Sequence, residues 1–320
     1  MRKLLGPALA VLMVGAAPVA AQDPAELVTF DSRTYPGGLY TPFMPPPEAG
    51  SPATILGILR LPGGEARVPA VILAHGCSGL SGTEHYWART LRDAGIATFQ
   101  VNSFSGRGIA SICRGTQPIN MASVMTDVYR ALAVLAAHPR IDGQRVALMG
   151  FSFGGRTALW ASHPRFRERY AAGPLRFAAH IAVYPASCYI RLADEGSIAD
   201  VPIRILHGTD DDWTPIAACR DYAARLRGLG KDIVLVEYAG AAHSFDSPAV
   251  PARWEIPDVM NPGGCVFTER DGRLLDAAGD EARIDSPCVV RGGSVGQNPA
   301  ARQQATADVL AFLGGVFGMR

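Results

Sequence analysis

A doubly wound α/β fold is predicted, and three observations predict it. Short apolar runs recur along the chain, several of them apolar on consecutive residues rather than alternating, as strands covered on both faces are. Helical patterns fall between these runs, which argues for a largely parallel sheet with crossover helices. The composition, 48% hydrophobic and 18% charged over 320 residues, suits a globular chain with a sizeable core.

The strand segments are ATILGILRL (53–61), VPAVILAHG (68–76), GIATFQVNSF (95–104), RVALMG (145–150), AAHIAVYP (178–185), VPIRILHG (201–208) and DIVLVEY (232–238). Helices are expected near 83–94, 121–138, 154–163, 216–229 and 300–316, and one short edge strand at Leu27 to Phe30 inside the proline-rich stretch 22–52. The alternation predicts one domain from 22 to 320, a single mostly parallel sheet with helices on both faces. Residues 247–299 break the pattern, being too long for an ordinary connection. Within this excursion before the last helix, "CVFTERDGRLLD" reads as a hairpin around Asp271-Gly272. The excursion is either part of a site wall or a surface decoration.

The first residues, MRKLLGPALAVLMVGAAPVAAQDP, carry Arg2 and Lys3, then a short apolar segment interrupted by Pro7 and Pro18, then small residues up to Ala21. That is the layout of a cleaved secretory signal (1–21) rather than of a membrane span or an N-terminal core helix. A periplasmic or secreted chain beginning near Gln22 is expected, with no membrane attachment once the leader is removed. Loss of Arg2 and Lys3 turns the formal charge of +1 slightly negative, and no basic run offers a footing for nucleic acid. Six cysteines, Cys77, Cys113, Cys188, Cys219, Cys265 and Cys288, remain. An even number in an exported chain favours disulfides, and no C-x-x-C pair points to zinc or thiol redox chemistry.

Gly150-Phe151-Ser152-Phe153-Gly154 matches G-x-S-x-G between a strand and a helix. In that arrangement a serine sits on a tight strand-to-helix turn, and flanking glycines are needed because side chains would strike the neighbouring elements. Two other readings compete. Gly150 to Thr157 is one letter from a phosphate loop, but Arg156 stands where the lysine belongs, and Phe151 and Phe153 suit a phosphate cradle poorly. A plain structural turn is the other. Downstream residues decide between them, because a serine needs a base and the base needs an acid to set its tautomer. "ILHGTDDDWTP" follows one strand with Asp210, Asp211 and Asp212; "VEYAGAAHSFD" follows the next with His243. The order serine, acid, histidine at successive strand ends is that of an enzyme.

The other histidines have ordinary explanations: His85, His138 and His163 at helix ends, His180 in the wrong order, His75 and His207 closing strands in His-Gly turns. An oxyanion needs two donors. The backbone N–H of Phe153 is one, and that of Cys77, in the loop after VPAVILAHG, is the other. Cys77 as a thiol nucleophile lacks the sharp turn.

Together HGCSG (75–79), SFSGRG (103–108), GFSFGG (150–155), GTDDDWTP (208–215) and AAHSF (241–245) resemble the dienelactone hydrolase family of α/β-hydrolases. The resemblance runs from about residue 53 to the last helix and implies the α/β-hydrolase fold. Its G-x-x-D-x-x-x-P pattern, through Gly208 and Pro215, selects Asp211 as the acid. It offers Arg107 as a receiver of a substrate carboxylate, with a surface ion pair as the alternative role. Members that open dienelactones carry a cysteine where this chain has Ser152 and a glutamate where it has Gly76. Their second arginine falls where it has Asp246 and Ser247. These departures argue against dienelactone opening and imply a serine carboxylesterase, for which small esters, and lactones besides, are the expected substrates. In the same frame the cysteines pair as Cys77 with Cys113, Cys188 with Cys219 and Cys265 with Cys288, tying down loops around the site.

The expected mechanism uses Ser152, Asp211 and His243, with Cys77 and Phe153 holding the oxyanion, and needs no metal or organic cofactor. Phe151, Tyr184 and Trp213, near the strand ends, are candidates for an aromatic wall of the substrate pocket or for core packing. A peptidase or amidase on the same triad and a non-catalytic binding protein on a hydrolase scaffold are the competing functions.

Overall fold

A computed structural model describes residues 25–319 except Gln117 and Ala172; the proposed leader lies outside the described residues. In chain order the elements begin with strands β1 (Ala25–Thr34), β2 (Ser51–Arg60) and β3 (Val68–Ala74), helix α1 (Gly82–Asp93) and strand β4 (Ala97–Asn102). Helix α2 (Met121–Ala137), strand β5 (Ile141–Phe151), helices α3 (Phe153–Trp160) and α4 (Pro164–Tyr170), and strands β6 (Ala179–Val183), β7 (Ile190–Arg191) and β8 (Ile203–Gly208) follow. The chain closes with α5 (Ile216–Gly228), β9 (Ile233–Tyr238), β10 (Trp254–Asn261), β11 (Phe267–Arg270), β12 (Arg273–Leu275), β13 (Val290–Val295) and α6 (Pro299–Phe317).

Eight strands form the main sheet in the order β1-β2-β4-β3-β5-β6-β8-β9. Pairing is antiparallel from β1 through β2 to β4 and parallel across the remaining strands. The consecutive apolar residues of β3 are explained by its two covered faces. Ala70 and Ile72 pack with Met125, Val128 and Leu132 of α2, whereas Val71 and Leu73 pack with Trp87 of α1 and Val309 of α6. Period-2 alternation thus sends successive side chains into two separate cores, each of which must be apolar. At the start of α1 a Ser81/Glu84 capping box satisfies the first-turn N–H groups: Thr83 N donates to Ser81 Oγ (3.2 Å) and Ser81 N to Glu84 Oε2 (2.8 Å).

Three differences from the sequence reading stand out. The edge strand runs over ten residues, paired along its whole length from Ala25↔Arg60 to Thr34↔Ser51. Its polar letters hid it, because on this edge strand Phe30 and Ser32 are buried while its first four residues stay largely exposed. Helix α4 was not expected; at seven residues, opened by Pro164, it shows too few turns for a periodic signal. The excursion is itself ordered. The unforeseen part is an antiparallel ribbon of β10 and β13; β11 and β12 form the expected hairpin about Asp271 (φ 49°) and Gly272 (φ 72°), both left-handed as a tight hairpin turn requires. Disulfides join Cys77–Cys113, Cys188–Cys219 and Cys265–Cys288, the last enclosing that hairpin. No helix among the described residues is long and apolar enough to cross a membrane.

Candidate active site

Ser152 stands alone between the end of β5 and the start of α3, with φ 53° and ψ −110°. A side chain held at positive φ costs of order 1–3 kcal/mol and persists only where surroundings enforce it. They do: Ser152 N donates to Val183 O (2.9 Å), and its carbonyl accepts from Arg156 N and Ala186 N (3.1 Å each). The flanking glycines allow the turn to close. A Cβ at Gly150 would sit 1.9 Å from the Gly154 carbonyl oxygen, and one at Gly154 would sit 2.1 Å from that of Ala74. The phosphate-loop reading fails here, because Arg156 is buried with Nε on the Ala186 carbonyl (2.8 Å) and a terminal nitrogen on Tyr189 Oη (2.6 Å).

Asp211 and His243 meet from the loops after β8 and β9. His243 Nδ1 lies 2.8 Å from Asp211 Oδ2. The other carboxylate oxygen accepts the backbone N–H groups of Trp213 (3.0 Å) and Thr214 (2.8 Å), and Thr214 Oγ1 donates to Oδ2 (2.9 Å). Burial by itself pushes the Asp211 carboxyl up, but His243 and His207 pull it well below the usual carboxylate range, so it stays ionised. A carboxylate accepting at Nδ1 keeps the proton there and leaves Nε2 free to act as a base.

Ser152, Cys77, Trp213, His243, Trp254 and Val295 line one cavity of about 600 Å³. No hydrogen bond joins the Ser152 hydroxyl to His243 among the described residues; contacts of this kind tighten when substrate binds. Phe153 is the first residue of α3, where a backbone N–H has no partner within the helix. Gly76, just before Cys77, faces the same turn: a Cβ there would lie 3.8 Å from Ser152 Cβ. A separate cavity of about 310 Å³ beside Tyr40, Ile112 and Ile284 contains none of these residues.

Three pocket expectations are corrected. Arg107 does not face the cavity. Its five N–H donors go to both oxygens of Asp127 (2.7 and 2.9 Å), Thr34 Oγ1 (2.8 Å), and the carbonyls of Arg33 (2.7 Å) and Ser103 (2.6 Å), leaving none for a substrate. Phe151 is buried in the core against Trp87, since its strand position points it into the layer under α1 and α6. Tyr184 packs its ring 4.5 Å from that of His243 but is buried, with its hydroxyl on Asp246 Oδ1 (2.7 Å). Trp213 does line the cavity, its indole N–H donated to the Met260 carbonyl (2.8 Å).

Several contributors escaped sequence reasoning. His207 Nε2 lies 2.6 Å from the Thr214 carbonyl and 3.2 Å from Asp211 Oδ2, supporting the acid loop. Asp212 clamps the β10–β13 ribbon to that loop: its carboxylate accepts Ser294 N (2.7 Å) and Ser294 Oγ (2.8 Å), and its carbonyl accepts Asn261 Nδ2 (3.0 Å). The ribbon in turn touches the base, through Gly296 N to His243 O (2.9 Å). Nothing local in the sequence marks Ser294 or Asn261. The run of three aspartates was the one available signal, and it distinguished none of their jobs without a family pattern.

Residues 55–261 match the dienelactone hydrolase family profile. No curated protein sequence matches the chain. Among solved structures, a candidate dienelactone hydrolase from Klebsiella pneumoniae subsp. pneumoniae MGH 78578 superposes with a TM-score of 0.55 at 14% identity, over 90% of this chain and 99% of the other. A dienelactone hydrolase-like promiscuous phosphotriesterase from metagenomic libraries gives 0.52 at 18% identity, over 91% and 99%. Thermogutta terrifontis esterase 2, phosphoramylated by tabun, gives 0.53 at 15% identity, over 83% and 90%. These likenesses match the fold, and with the family profile covering most of the sequence the chain belongs to the dienelactone hydrolase family, as a carboxylesterase-like hydrolase.

Proposed function

We propose that this chain hydrolyses small carboxylic esters, lactones included, through an acyl-enzyme on Ser152. One observation carries the reading: a serine forced to positive φ opens into the same cavity as a histidine whose Nδ1 lies 2.8 Å from a buried carboxylate. His243 Nε2 takes the Ser152 proton as Oγ attacks the ester carbonyl carbon. The N–H groups of Cys77 and Phe153 receive the developing oxyanion, each worth about 10²–10³ in turnover. His243 then gives the proton to the departing alcohol oxygen, and a water activated by the same base cleaves the acyl-enzyme. Trp213 forms an apolar wall for the substrate. Residues 1–21 act as an export signal, a reading supported by three disulfides in a chain that would meet an oxidising compartment.

A fluorophosphonate probe tests this directly. The folded protein is expected to be labelled at Ser152, and Ser152→Ala to abolish labelling and lower kcat on p-nitrophenyl esters by roughly 10⁶-fold. A folded protein that neither labels nor turns over esters would mark it as a binding protein.

A further inference from the structure

The peptide that carries the Cys77 N–H also carries the Gly76 carbonyl, and the two point in opposite directions because a trans peptide is planar. Whatever holds that carbonyl therefore aims the N–H. Two groups hold it: Gly79 N at 3.2 Å and the ring nitrogen Nδ1 of His75 at 2.8 Å. The other ring nitrogen, Nε2, accepts the backbone N–H of Ser103 at 3.2 Å. A nitrogen that accepts an N–H has its lone pair free, so the ring proton must be on Nδ1, where it is donated to the Gly76 carbonyl. The ring is buried, with its centroid 4.4 Å from that of Phe104, and Phe104 packs in turn on Phe153, which supplies the second oxyanion donor. Burial also lowers the tendency of His75 to gain a second proton. Arg107 and Asp127 complete the brace, since Arg107 binds the carbonyl of the same Ser103.

We propose that His75 is a positioning residue for the oxyanion hole: as the neutral Nδ1–H tautomer it bridges the Ser103 N–H and the Gly76 carbonyl, and so directs the Cys77 N–H toward the substrate oxygen. This rests on the reading of Cys77 as an oxyanion donor. The strut acts through the peptide plane and touches no substrate, so its loss affects the transition state, where charge builds on the oxygen, more than substrate binding.

The two ring nitrogens can be replaced one at a time. In His75→Asn the side-chain amide reaches as far as Nδ1 and keeps a donor for the Gly76 carbonyl; in His75→Gln it reaches only the Nε2 position. On p-nitrophenyl butyrate, His75→Gln and His75→Ala are expected to lower kcat by about 10- to 100-fold with KM nearly unchanged, less than the roughly 10²–10³-fold cost of deleting a donor. His75→Asn is expected to recover most of kcat. Equal kcat in the Asn and Gln variants, or a loss confined to KM, overturns the proposal. Nitrogen-15 NMR of histidine-labelled wild-type protein gives an independent answer that needs no variant to fold. A protonated Nδ1 and bare Nε2 at His75 are expected, and the reverse tautomer overturns the assignment. Ser152→Ala, assayed alongside, separates the two readings. If ester hydrolysis survives that change, the catalytic reading fails; if it vanishes while the His75 variants behave alike, only the strut fails.

Discussion

At Ser152 geometry and chemistry pull against each other. Its positive φ stores strain that any L side chain pays and glycine does not. Ser152→Gly is therefore expected to be more stable than Ser152→Ala by about 1 kcal/mol, although both are inactive; equal urea midpoints would show the turn to be unstrained. Asp211 is the second test at this scale. Its carboxyl, pushed up by burial but held well below its ordinary range by His243 and His207, is depressed relative to the unfolded chain. Its contribution to stability is thus complete above the unfolded value of about 3.9 and disappears only as pH falls through the lower folded one. Asp211→Asn removes the charge and upsets the tautomer of His243, so kcat is expected to fall about 10⁴-fold with little change in the fold. The serine was legible from its G-x-S-x-G turn, and the histidine from its place in chain order after a strand end. The acid needed the Gly208–Pro215 pattern, because three adjacent aspartates offer the same chemistry, and only the fold buries Asp211 against His243 while setting the exposed Asp212 on Ser294.

Elements converge through close approaches that a sequence shows as bare glycines. The start of α3 lies so near the end of β3 that a Cβ at Gly154 would overlap the Ala74 carbonyl. The Cβ is fixed rigidly to the backbone and the carbonyl is part of it, so neither can yield; Gly154→Ala is expected to abolish soluble folded protein, as judged by circular dichroism of whatever is recovered. The β10–β13 ribbon is held differently, by charge-assisted hydrogen bonds from Ser294 to Asp212. Asp212→Ala removes both acceptors, at about 1.5–3 kcal/mol for a bond to a charged group. The expected result is faster proteolytic nicking within 247–299 together with reduced kcat/KM, because the ribbon also carries Trp254 and Val295 into the cavity. Unchanged nicking would show that the ribbon is held by packing on Trp213 instead.

For the whole molecule, buried histidines are expected to set the acid sensitivity, His163 and His180 together with His75, whose proton affinity burial also lowers. Burial holds His163 and His180 neutral, each lowered to about 3, and neither His163 nitrogen nor His180 Nδ1 finds a hydrogen-bond partner among the described residues. In the unfolded chain both take a proton near pH 6.5. The unfolded state therefore binds more protons below that value, and stability is expected to drop steadily as pH falls from about 6.5 toward 3. Urea midpoints measured across this window check the slope, and a His163→Gln/His180→Gln double variant is expected to flatten it. An unchanged slope would place the acid sensitivity elsewhere.

The alternation of apolar strands and helical segments determined the sheet and its two cores, because burial on both faces favours apolar letters at most positions of a strand. The sharp serine turn and the order of its partners were likewise written locally. Tertiary structure alone decided what each polar group serves. Arg107 and Arg156 are both single cations beside glycines in the sequence, yet the fold consumes every donor of Arg107 within the scaffold and buries Arg156 among aromatic rings. His75 reads as the end of a strand until Ser103, 28 residues later, presents an N–H to it. Hydrogen-bond partners distant in the chain leave no periodic trace, so their assignments emerge only when the sheet brings its loops together.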